Sequence, residues 1–577
     1  MNFIPRTSLF FLFCLCLHVS YSQSTQFEWA KNWGNEELAG GATDIAVSSK
    51  GSVFVSGTFG GILDLDPGPD TFEIRANASS RNTYISKFNQ NGDFVTAHSM
   101  GGSQIKDIEI DQSDYVYYAG VFAGEQDFDF GPGEFKLASV DRKNSGFVTK
   151  MSEGGDFEWV SAFSSVYNGT SFIESITVDP SGNVYATGRF GGTVDFDPDT
   201  GLVSFAAVGD DDAFIVKLNS SGDLVWAKAI GGSMSLVEGY TIRVDSRTGT
   251  VYVGGIYEGT IDFDPSSTTT SFSTSEDDDA FLLKLDSNGD FSWLKSWGGP
   301  GTDVSSVIEV DKVGSIFVGG YFSSSIDFDP GPGVFNLPYE GGTSRDAYLL
   351  KLDHNGQFDF VKTWGGSGIR GDRLEDIIVS EQGEIYGLGF FSGNIDFDPG
   401  RGSLSLNSID GFWSDPFLIK LDRGGNFSWV ETYGGTETDN ARRFSFSDEG
   451  SIYITGVHTG TADFDPGPNE YNLDVIKHGM AYILKLNDIT TGLDEVLENF
   501  SIKAYPSPTQ GDLQVYSEKA MHNITMVLLD MSGKIVQKRE GISGDNWSLS
   551  LSRIQPGQYF LKIYSDKHTS VLKVIKN

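Results

Sequence analysis

Short runs of apolar and β-branched residues alternate along most of the chain with clusters of Gly, Asn and Asp. Three examples are Val53–Gly57, Val184–Gly188 and Ile452–Gly456, each of which ends in glycine. Such runs, bounded by turn residues, are typical of short strands joined by tight hairpins. No stretch of this region has sustained helical periodicity. The pattern therefore predicts an all-β fold.

An Asp-aromatic-Asp tripeptide, usually followed by Pro, marks the period of a repeat. It occurs seven times, 63 to 69 residues apart, with Leu in the middle of the first copy. The carboxylates are those of Asp64 and Asp66, Asp127 and Asp129, Asp195 and Asp197, Asp262 and Asp264, Asp327 and Asp329, Asp396 and Asp398, and Asp463 and Asp465. An apolar segment with one lysine follows each copy, at Lys87, Lys150, Lys217, Lys284, Lys351, Lys420 and Lys485. Each unit has the strand content of one four-stranded antiparallel sheet.

The two ends of the repeat region complement each other. The seventh unit stops after Ala481–Leu486 and lacks the aromatic strand that ends the other units. A matching segment, Phe27–Gly34, opens the mature chain and is similar to Phe291–Gly298. An open solenoid would instead need polar capping repeats at both ends. The sequence therefore predicts a seven-bladed β-propeller over residues 23–487, closed by its N-terminal strand.

These repeats resemble a known bacterial family. From about Phe27 to Asn487 the chain is similar to the β-propeller repeats called SBBP. The resemblance implies a propeller fold, and it implies no enzymatic activity common to the family.

The sequence changes character at both ends of the repeat region. Residues 1–22 combine a positive start with a short apolar run and a small-residue cleavage motif, as in an export signal. Residues 488–499 lose the repeat and are predicted to be a linker. Residues 500–577 contain about seven short strand patterns, which predicts a small C-terminal Ig-like β-sandwich.

The C-terminal segment resembles the type A sorting domain of the type IX secretion system. The residues that carry the resemblance are Tyr505, Pro506, Pro508, Gly511, Gly533, Gly557, Tyr559 and Lys573. Ser507 departs from the usual Asn, a conservative change in a turn. The resemblance implies that the type IX machinery is a partner. It also implies export from a Gram-negative bacterium, and either release or attachment to the outer cell surface.

Charge narrows the classes of partner. The 577 residues carry a formal net charge of −38, and the isoelectric point is near 4.4. Nucleic acid and anionic membrane surfaces would be repelled. Both cysteines, Cys14 and Cys16, lie in the export signal, so the mature chain has no thiol chemistry and no disulfide. No transmembrane segment is expected in the mature chain.

The tripeptides are the main candidates for chemistry. Two carboxylates at a spacing of two residues share one face of a strand, and Ca²⁺ prefers such oxygen ligands. Alternatively, Asp caps its own turn and the repeated lysine neutralises one carboxylate of each pair. Acidic clusters at Asp210–Asp212 and Glu276–Asp279 are expected to be solvated loops. Arg370–Asp372 has the sequence of an adhesion tripeptide, although such tripeptides also occur by chance.

No catalytic motif stands out. The histidines form no metal pair, and no nucleophile elbow or phosphate loop occurs. The first hypothesis is therefore a secreted, non-catalytic binding or scaffold module for glycan or protein, which needs no cofactor. One alternative is an extracellular polysaccharide hydrolase or lyase with a single asymmetric pocket near the channel. A second is a structural matrix or adhesion protein that depends on calcium.

Overall fold

The computed structural model describes most of the repeat region and most of the C-terminal domain. The described residues are 24–34, 40–76, 82–233, 235–266, 268–274, 277–337, 339, 344–366, 368–398, 400, 402–475, 479–489, 502–505, 512–530, 534–552, 554–555, 557–564 and 569–576. The predicted export signal and nearly all of the predicted linker lie outside these residues.

The described chain is built almost entirely of strands, which confirms the all-β prediction. One 3₁₀ turn, Val140–Arg142, is the single helical segment in the part of the chain that the structure describes. We number the seven antiparallel sheets I to VII, each in the order first, second, third and outer strand.

Sheets I to III contain the first half of the repeats. Sheet I consists of β2 (Gly41–Val47), β3 (Val53–Phe59), β6 (Asn82–Phe88) and β7 (Phe94–Gly101). Sheet II consists of β8 (Ser103–Ile110), β9 (Val116–Phe122), β12 (Ser145–Met151) and the first part of β13 (Phe157–Val178). Sheet III consists of the last part of β13, β14 (Val184–Asp195), β16 (Asp212–Leu218) and β17 (Leu224–Ile230). The 22-residue β13 thus serves two sheets.

Sheets IV to VII follow the same order. Sheet IV has β18 (Leu236–Asp245), β19 (Thr250–Glu258), β22 (Asp279–Leu285) and β23 (Phe291–Trp297). Sheet V has β24 (Val304–Val310), β25 (Ile316–Phe322), β28 (Asp346–Leu352) and β29 (Phe358–Trp364). Sheet VI has β30 (Arg373–Val379), β31 (Ile385–Ser392), β34 (Ser414–Leu421) and β35 (Phe427–Thr432). Sheet VII has β37 (Asn440–Phe446), β38 (Ser451–His458), β41 (Met480–Asp488) and β1 (Thr25–Trp33).

A small hairpin carrying the Asp-aromatic-Asp tripeptide connects the second and third strands of each sheet. Its strands are β4 (Ile62–Asp64) and β5 (Glu73–Arg75), β10 (Glu125–Asp127) and β11 (Lys136–Ala138), the end of β14 and β15 (Ser204–Ala206), β20 (Thr260–Asp262) and β21 (Ser271–Ser273), β26 (Ile326–Asp327) and β27 (Asn336–Leu337), β32 (Asn394–Asp396) and β33 (Ser405–Asn407), and β39 (Ala462–Asp463) and β40 (Asn472–Leu473). Strand β36 (Gly434–Gly435) joins the last hairpin.

The N-terminal strand pairs with the last repeat, as the sequence predicts. In sheet VII, β1 runs antiparallel to β41, with Asn32 opposite Tyr482 and Trp29 opposite Lys485. The same strand β41 continues to Asp488, which pairs with Thr25 and lies one residue inside the predicted linker.

The first strands of the seven sheets contact one another in succession. Strand β2 contacts β8, and the contacts continue through β13, β18, β24, β30 and β37 in that order. Strand β37 in turn contacts β2. Buried apolar side chains fill the spaces between neighbouring sheets, so the core is a series of layers that pack face to face.

The C-terminal domain differs from the predicted set of seven short strands. Its described residues form five strands in one hydrogen-bonded sheet: β42 (Ile502–Tyr505), β43 (Asp512–Asp530), β44 (Ile535–Ser550), β45 (Gly557–Tyr564) and β46 (Thr569–Lys576). Strands β43 and β44 stay paired across several register shifts between Tyr516 and Met526. Polar interruptions that indicate turns in the sequence are therefore bulges within two long strands.

Candidate functional site

Every first strand carries a bulge at the same place. In each sheet the register with the second strand skips one residue, and an apolar residue follows two positions later. The skipped residues are Thr43, Lys106, Glu174, Tyr240, Ser306, Glu375 and Arg442. All seven are half-buried, whereas the residues two positions later are fully buried. A bulge aims its extra side chain out of the regular alternation.

The seven bulge residues line one cavity of about 520 Å³, which we call the mouth cavity. Tyr321, Arg373 and Arg443 contribute to the same wall. A volume of this size falls in the range of small-ligand pockets. Each sheet supplies one bulge residue, and apart from two glutamates these residues differ in charge and size. The cavity is therefore asymmetric although the fold is repetitive.

Charged side chains in the mouth cavity are only partly paired. Lys106 Nζ lies 2.8 Å from Glu174 Oε2. Two arginines share one carboxylate: Glu375 Oε1 is 3.7 Å from Arg442 Nη1 and 4.0 Å from Arg373 Nη1. Arg373 also lies 4.4 Å from the Tyr321 ring centroid, in cation–π range. The wall thus offers cationic, anionic and aromatic groups to a ligand.

The next residue of each first strand forms a second layer beneath the mouth cavity. These residues are Asp44, Asp107, Ser175, Thr241, Val307, Asp376 and Arg443, and all line a cavity of about 190 Å³. Four of them accept a hydrogen bond from a backbone N–H of the following sheet: Asp44 from Ile108, Asp107 from Ile176, Thr241 from Ile308 and Asp376 from Phe444. The layer therefore ties adjacent sheets together.

Two half-buried arginines balance the acids of this inner region. Arg243 Nη1 is 3.1 Å from Glu109 Oε1, and Arg243 Nε is 3.3 Å from Glu309 Oε2. Burial raises the pKa of Glu109 to about 7, although Arg243 opposes the shift. Burial raises the pKa values of Asp376 and Asp44, although the nearby Arg443 opposes both shifts. Arg243 thus forms ion pairs with two glutamates of this inner region.

The seven Asp-aromatic-Asp tripeptides share one geometry. The first Asp accepts through Oδ1 from the N–H of the second Asp at 3.1–3.2 Å. The same Oδ1 accepts from the N–H eight residues on at 2.7–2.9 Å. The second Asp accepts from the N–H two residues on at 2.7–3.0 Å. The middle residue is at most 1% exposed in every copy. The carboxylates cap the hairpin turn.

The expectation that the repeated lysines neutralise these carboxylates is wrong. Lys87, Lys284, Lys351 and Lys485 donate instead to backbone carbonyls of the next sheet, those of Glu153, His354, Arg423 and Gln90. The reason is geometric, because each lysine ends the third strand on the side away from the hairpin. Within the described ranges, no group of three or more His, Cys, Asp or Glu is arranged to hold a metal ion. Calcium binding at the tripeptides stays a prediction.

The other acidic motifs are less solvated than expected. Asp212, Asp279 and Asp372 are 2%, 9% and 0% exposed, so they are structural rather than loop residues. Asp211 Oδ2 is 2.6 Å from Arg189 Nη1. Because Asp372 is buried, the Arg370–Asp372 tripeptide cannot present its carboxylate to an adhesion receptor.

Few of the predicted sorting residues can be described. Tyr505 pairs with Gln514 through the backbone, and Gly557 pairs with Lys576. Tyr559 is buried and donates to the Gln555 carbonyl at 2.7 Å. Lys573 pairs with Phe560 in the last strand pair. Pro506, Pro508, Gly511 and Gly533 lie outside the described residues.

Comparison with known families finds a match for the C-terminal domain. Residues 503–577 match the secretion system C-terminal sorting domain. The match supports export through the type IX secretion system and delivery to the cell surface, and it implies a Gram-negative source. Among the described residues, no helix is long and apolar enough to cross a membrane.

Two curated proteins resemble other parts of the chain. One is an uncharacterized WD repeat-containing protein of Acanthamoeba polyphaga mimivirus, 23% identical over 375 residues, which are 54% of this chain and 26% of that protein. The other is the regulatory protein FlaEY of Caulobacter vibrioides, 27% identical over 228 residues, which are 39% and 23% of the two chains. This chain therefore spans about a quarter of each relative. The first likeness supports a repeat protein of the propeller type.

Proposed function

We propose that sheets I to VII are the blades of a closed seven-bladed β-propeller of the SBBP type. The support is that one layer of bulge residues from all seven first strands lines a single cavity, and a second layer lines another. An open row of sheets would leave its first and last members far apart. Here β37 of sheet VII contacts β2 of sheet I.

The junction between sheets VII and I supports closure in a second way. At other junctions an outer-strand aromatic ring packs on a turn glycine of the next sheet, for example Trp159 on Gly222 and Trp226 on Gly289. Trp29 of β1 packs in the same way on Gly92 of sheet I. A Cβ on Gly92 would lie 2.8 Å from the Trp29 ring, and the φ of Gly92, +79°, also favours glycine.

We further propose that the exported protein is a non-catalytic binding or scaffold module that holds glycan or protein at the mouth cavity. The observation that carries this proposal is the contrast between repeats. The apolar positions that follow the bulges are alike in all seven sheets, whereas the bulge residues are Thr, Lys, Glu, Tyr, Ser, Glu and Arg. A fold alone would not require this diversity, but a ligand site would.

The protonation and pairing of the polar groups in the mouth cavity favour a non-catalytic role. Burial and the neighbouring Glu238 raise the pKa of Tyr240, which removes it as a base near neutral pH. Lys106 and Glu174 are engaged with each other. Such groups can position a ligand through hydrogen bonds and charge without transferring a proton.

Screening the purified mature chain, residues 23–577, against glycans and surface-protein extracts tests the binding role. We expect a ligand whose affinity falls at least tenfold in Tyr240→Ala and in the double variant Arg373→Gln/Arg442→Gln. Lys312→Gln is the matched control, because Lys312 lies in the turn between β24 and β25 and pairs with exposed Glu381. Turnover of a polysaccharide, or binding that the mouth variants leave unchanged, would contradict the proposal.

The export step has its own test. We propose that the machinery recognises residues 503–577, and that release or surface attachment follows. Deleting 503–577 should retain the repeat region inside the producing cell, while the full chain reaches the surface or medium. Export of the truncated chain at the normal level would contradict this assignment.

A further inference from the structure

Three neighbouring sheet junctions bury two aspartates each. One Asp is the first or second residue of the third strand of a sheet, and the other immediately precedes the first strand of the next sheet. The pairs are Asp279 with Asp303, Asp346 with Asp372, and Asp415 with Asp439. All six side chains are at most 9% exposed. None of them lines the mouth cavity.

The pair between sheets VI and VII converges on one point. A Cβ on Gly434 would lie 2.5 Å from Asp415 Oδ1 and 3.0 Å from Asp439 Oδ2. Asp439 accepts from the N–H groups of Thr459 and Gly435, at 2.9 and 2.6 Å. Asp415 Oδ2 accepts from Ile409 N at 2.6 Å, but its buried Oδ1 has no hydrogen-bond partner. Asp279 Oδ1 and Asp372 Oδ2 are also buried without a partner.

Neither acid of this pair forms an ion pair within the described ranges. Among the described residues, no lysine or arginine forms a salt bridge with Asp415 or Asp439. Burial raises the pKa of Asp415 to about 8 and that of Asp439 to about 7. Two carboxylates in one buried site are unfavourable unless a proton or a cation neutralises them.

A junction with a single aspartate shows that a carboxylate oxygen is left without a hydrogen-bond partner only where a second aspartate is present. At the junction of sheets III and IV, Asp212 has no second buried acid beside it. Each second acid lies three residues before the bulge residue of its sheet, and in sheet IV that position is Val237. Both oxygens of Asp212 accept from backbone N–H groups, those of Val208 and Gly209. Between sheets II and III serines replace both acids: Ser171 accepts from Gly146 N, whereas the Ser145 hydroxyl is buried without a hydrogen-bond partner. A single acid, as at Asp212, is thus satisfied by backbone N–H groups alone.

We propose that each of the three acid-pair junctions binds one Ca²⁺ ion, which links adjacent sheets. Two carboxylates supply charge, and the Gly-rich turns beside them can add carbonyl oxygens, since Ca²⁺ takes six to eight oxygen ligands. Only two acids per site predict weak binding, in the range of about 10⁻⁴ to 10⁻³ M that extracellular calcium modules use. That range suits a protein that the sorting domain delivers to the cell surface.

Calorimetric titration of the chelator-treated mature chain with CaCl₂ tests the proposal. We expect three sites, together with a rise of several degrees in Tm. The double variant Asp415→Asn/Asp439→Asn should keep two sites and bind no third ion. Asn has the shape of Asp and removes the repulsion, so the variant is expected to fold, as circular dichroism will check. The matched control, Asp212→Asn, should retain all three sites.

Two results would overturn the inference. Absence of calcium uptake, with a Tm that depends on pH alone, would mean that each pair shares a proton. Uptake that Asp415→Asn/Asp439→Asn leaves unchanged, but that Asp327→Asn/Asp329→Asn reduces, would place the ion at a tripeptide turn instead. Neither result affects ligand binding at the mouth cavity, which is measured with separate variants.

Discussion

The tripeptide hairpins and the bulges of the first strands are both present in all seven sheets. The side chains are nearly constant at the hairpins but vary at the bulges. At the hairpins, residue identity and hydrogen bonding are nearly the same in every copy. At the bulges, the backbone geometry is the same but the side chains differ in every sheet except two. Where side chains repeat they maintain the fold, and where only the backbone repeats the side chains are available for a ligand.

Removing a buried ring from a hairpin should have the largest effect. Phe328 is 0% exposed and packs 5.2 Å from the Phe322 and Tyr348 ring centroids. Phe328→Ala should lower the free energy of unfolding by about 3–5 kcal/mol, because it leaves a cavity. Phe335→Ala is the control, since Phe335 is 41% exposed and should cost much less. Equal losses in denaturant titrations would contradict an architectural role for the tripeptide.

Arg443→Met should be nearly as damaging. The variant leaves Asp44 and Asp376 buried without their cation, for an expected loss of about 3 kcal/mol. Its neighbour Arg442 faces the mouth cavity with 42% of its side chain exposed. We expect thermal unfolding to show a large loss of stability in Arg443→Met and little loss in Arg442→Gln. A comparable loss in Arg442→Gln would show that the side chains of the mouth cavity are structural too.

Removing the carboxylate that caps a hairpin turn should have an intermediate effect on the free energy of unfolding. Asp327→Ala removes the acceptor for the N–H groups of Asp329 and Phe335, at an expected cost of about 2 kcal/mol. Asp327→Asn keeps an acceptor oxygen and should cost less. The same substitutions at Asp262 should give the same values in chemical denaturation, because the hydrogen bonds match. Values that differ between copies would break the equivalence of the hairpins.

The acid pairs predict a pH dependence of stability in chelator. The folded pKa values of Asp415 and Asp439, about 8 and about 7, lie above their ordinary value of 3.8. The folded state therefore holds more protons than the unfolded state between these limits. Its stability should fall as the pH rises from 6 to 8. Asp415→Asn/Asp439→Asn should flatten this part of the Tm–pH curve, and an unchanged slope would assign it elsewhere.

Arg442→Gln should have the smallest effect on stability, below about 0.5 kcal/mol, because exposed ion pairs contribute little. Its effect should appear in ligand binding instead. A variant that binds normally and unfolds normally would remove Arg442 from the site.

Much of the repeat could be predicted from the sequence, because its signals are local. The tripeptide period and the match of Phe27–Gly34 to other outer strands correctly predicted the pairing of β1 with β41. The bulges have a weaker signal. In six of the seven first strands two consecutive polar residues precede a large apolar residue, as in Lys106-Asp107-Ile108. Asp415 and Asp439 meet only through sheet packing, which sequence spacing does not reveal. The prediction that the repeated lysines neutralise the tripeptide carboxylates was wrong for the same reason, because the partners of these lysines lie in the next sheet.

Disulfide trapping at the ends of the repeat region tests closure most directly. Gln26 and Asn487 are antiparallel partners in β1 and β41, and the mature chain has no other cysteine to interfere. In Gln26→Cys/Asn487→Cys, mild oxidation should form one intramolecular disulfide in the monomer and raise its Tm. If the cysteines stay reduced in the folded protein, or crosslink two chains instead, the ring is not closed by its own N-terminal strand.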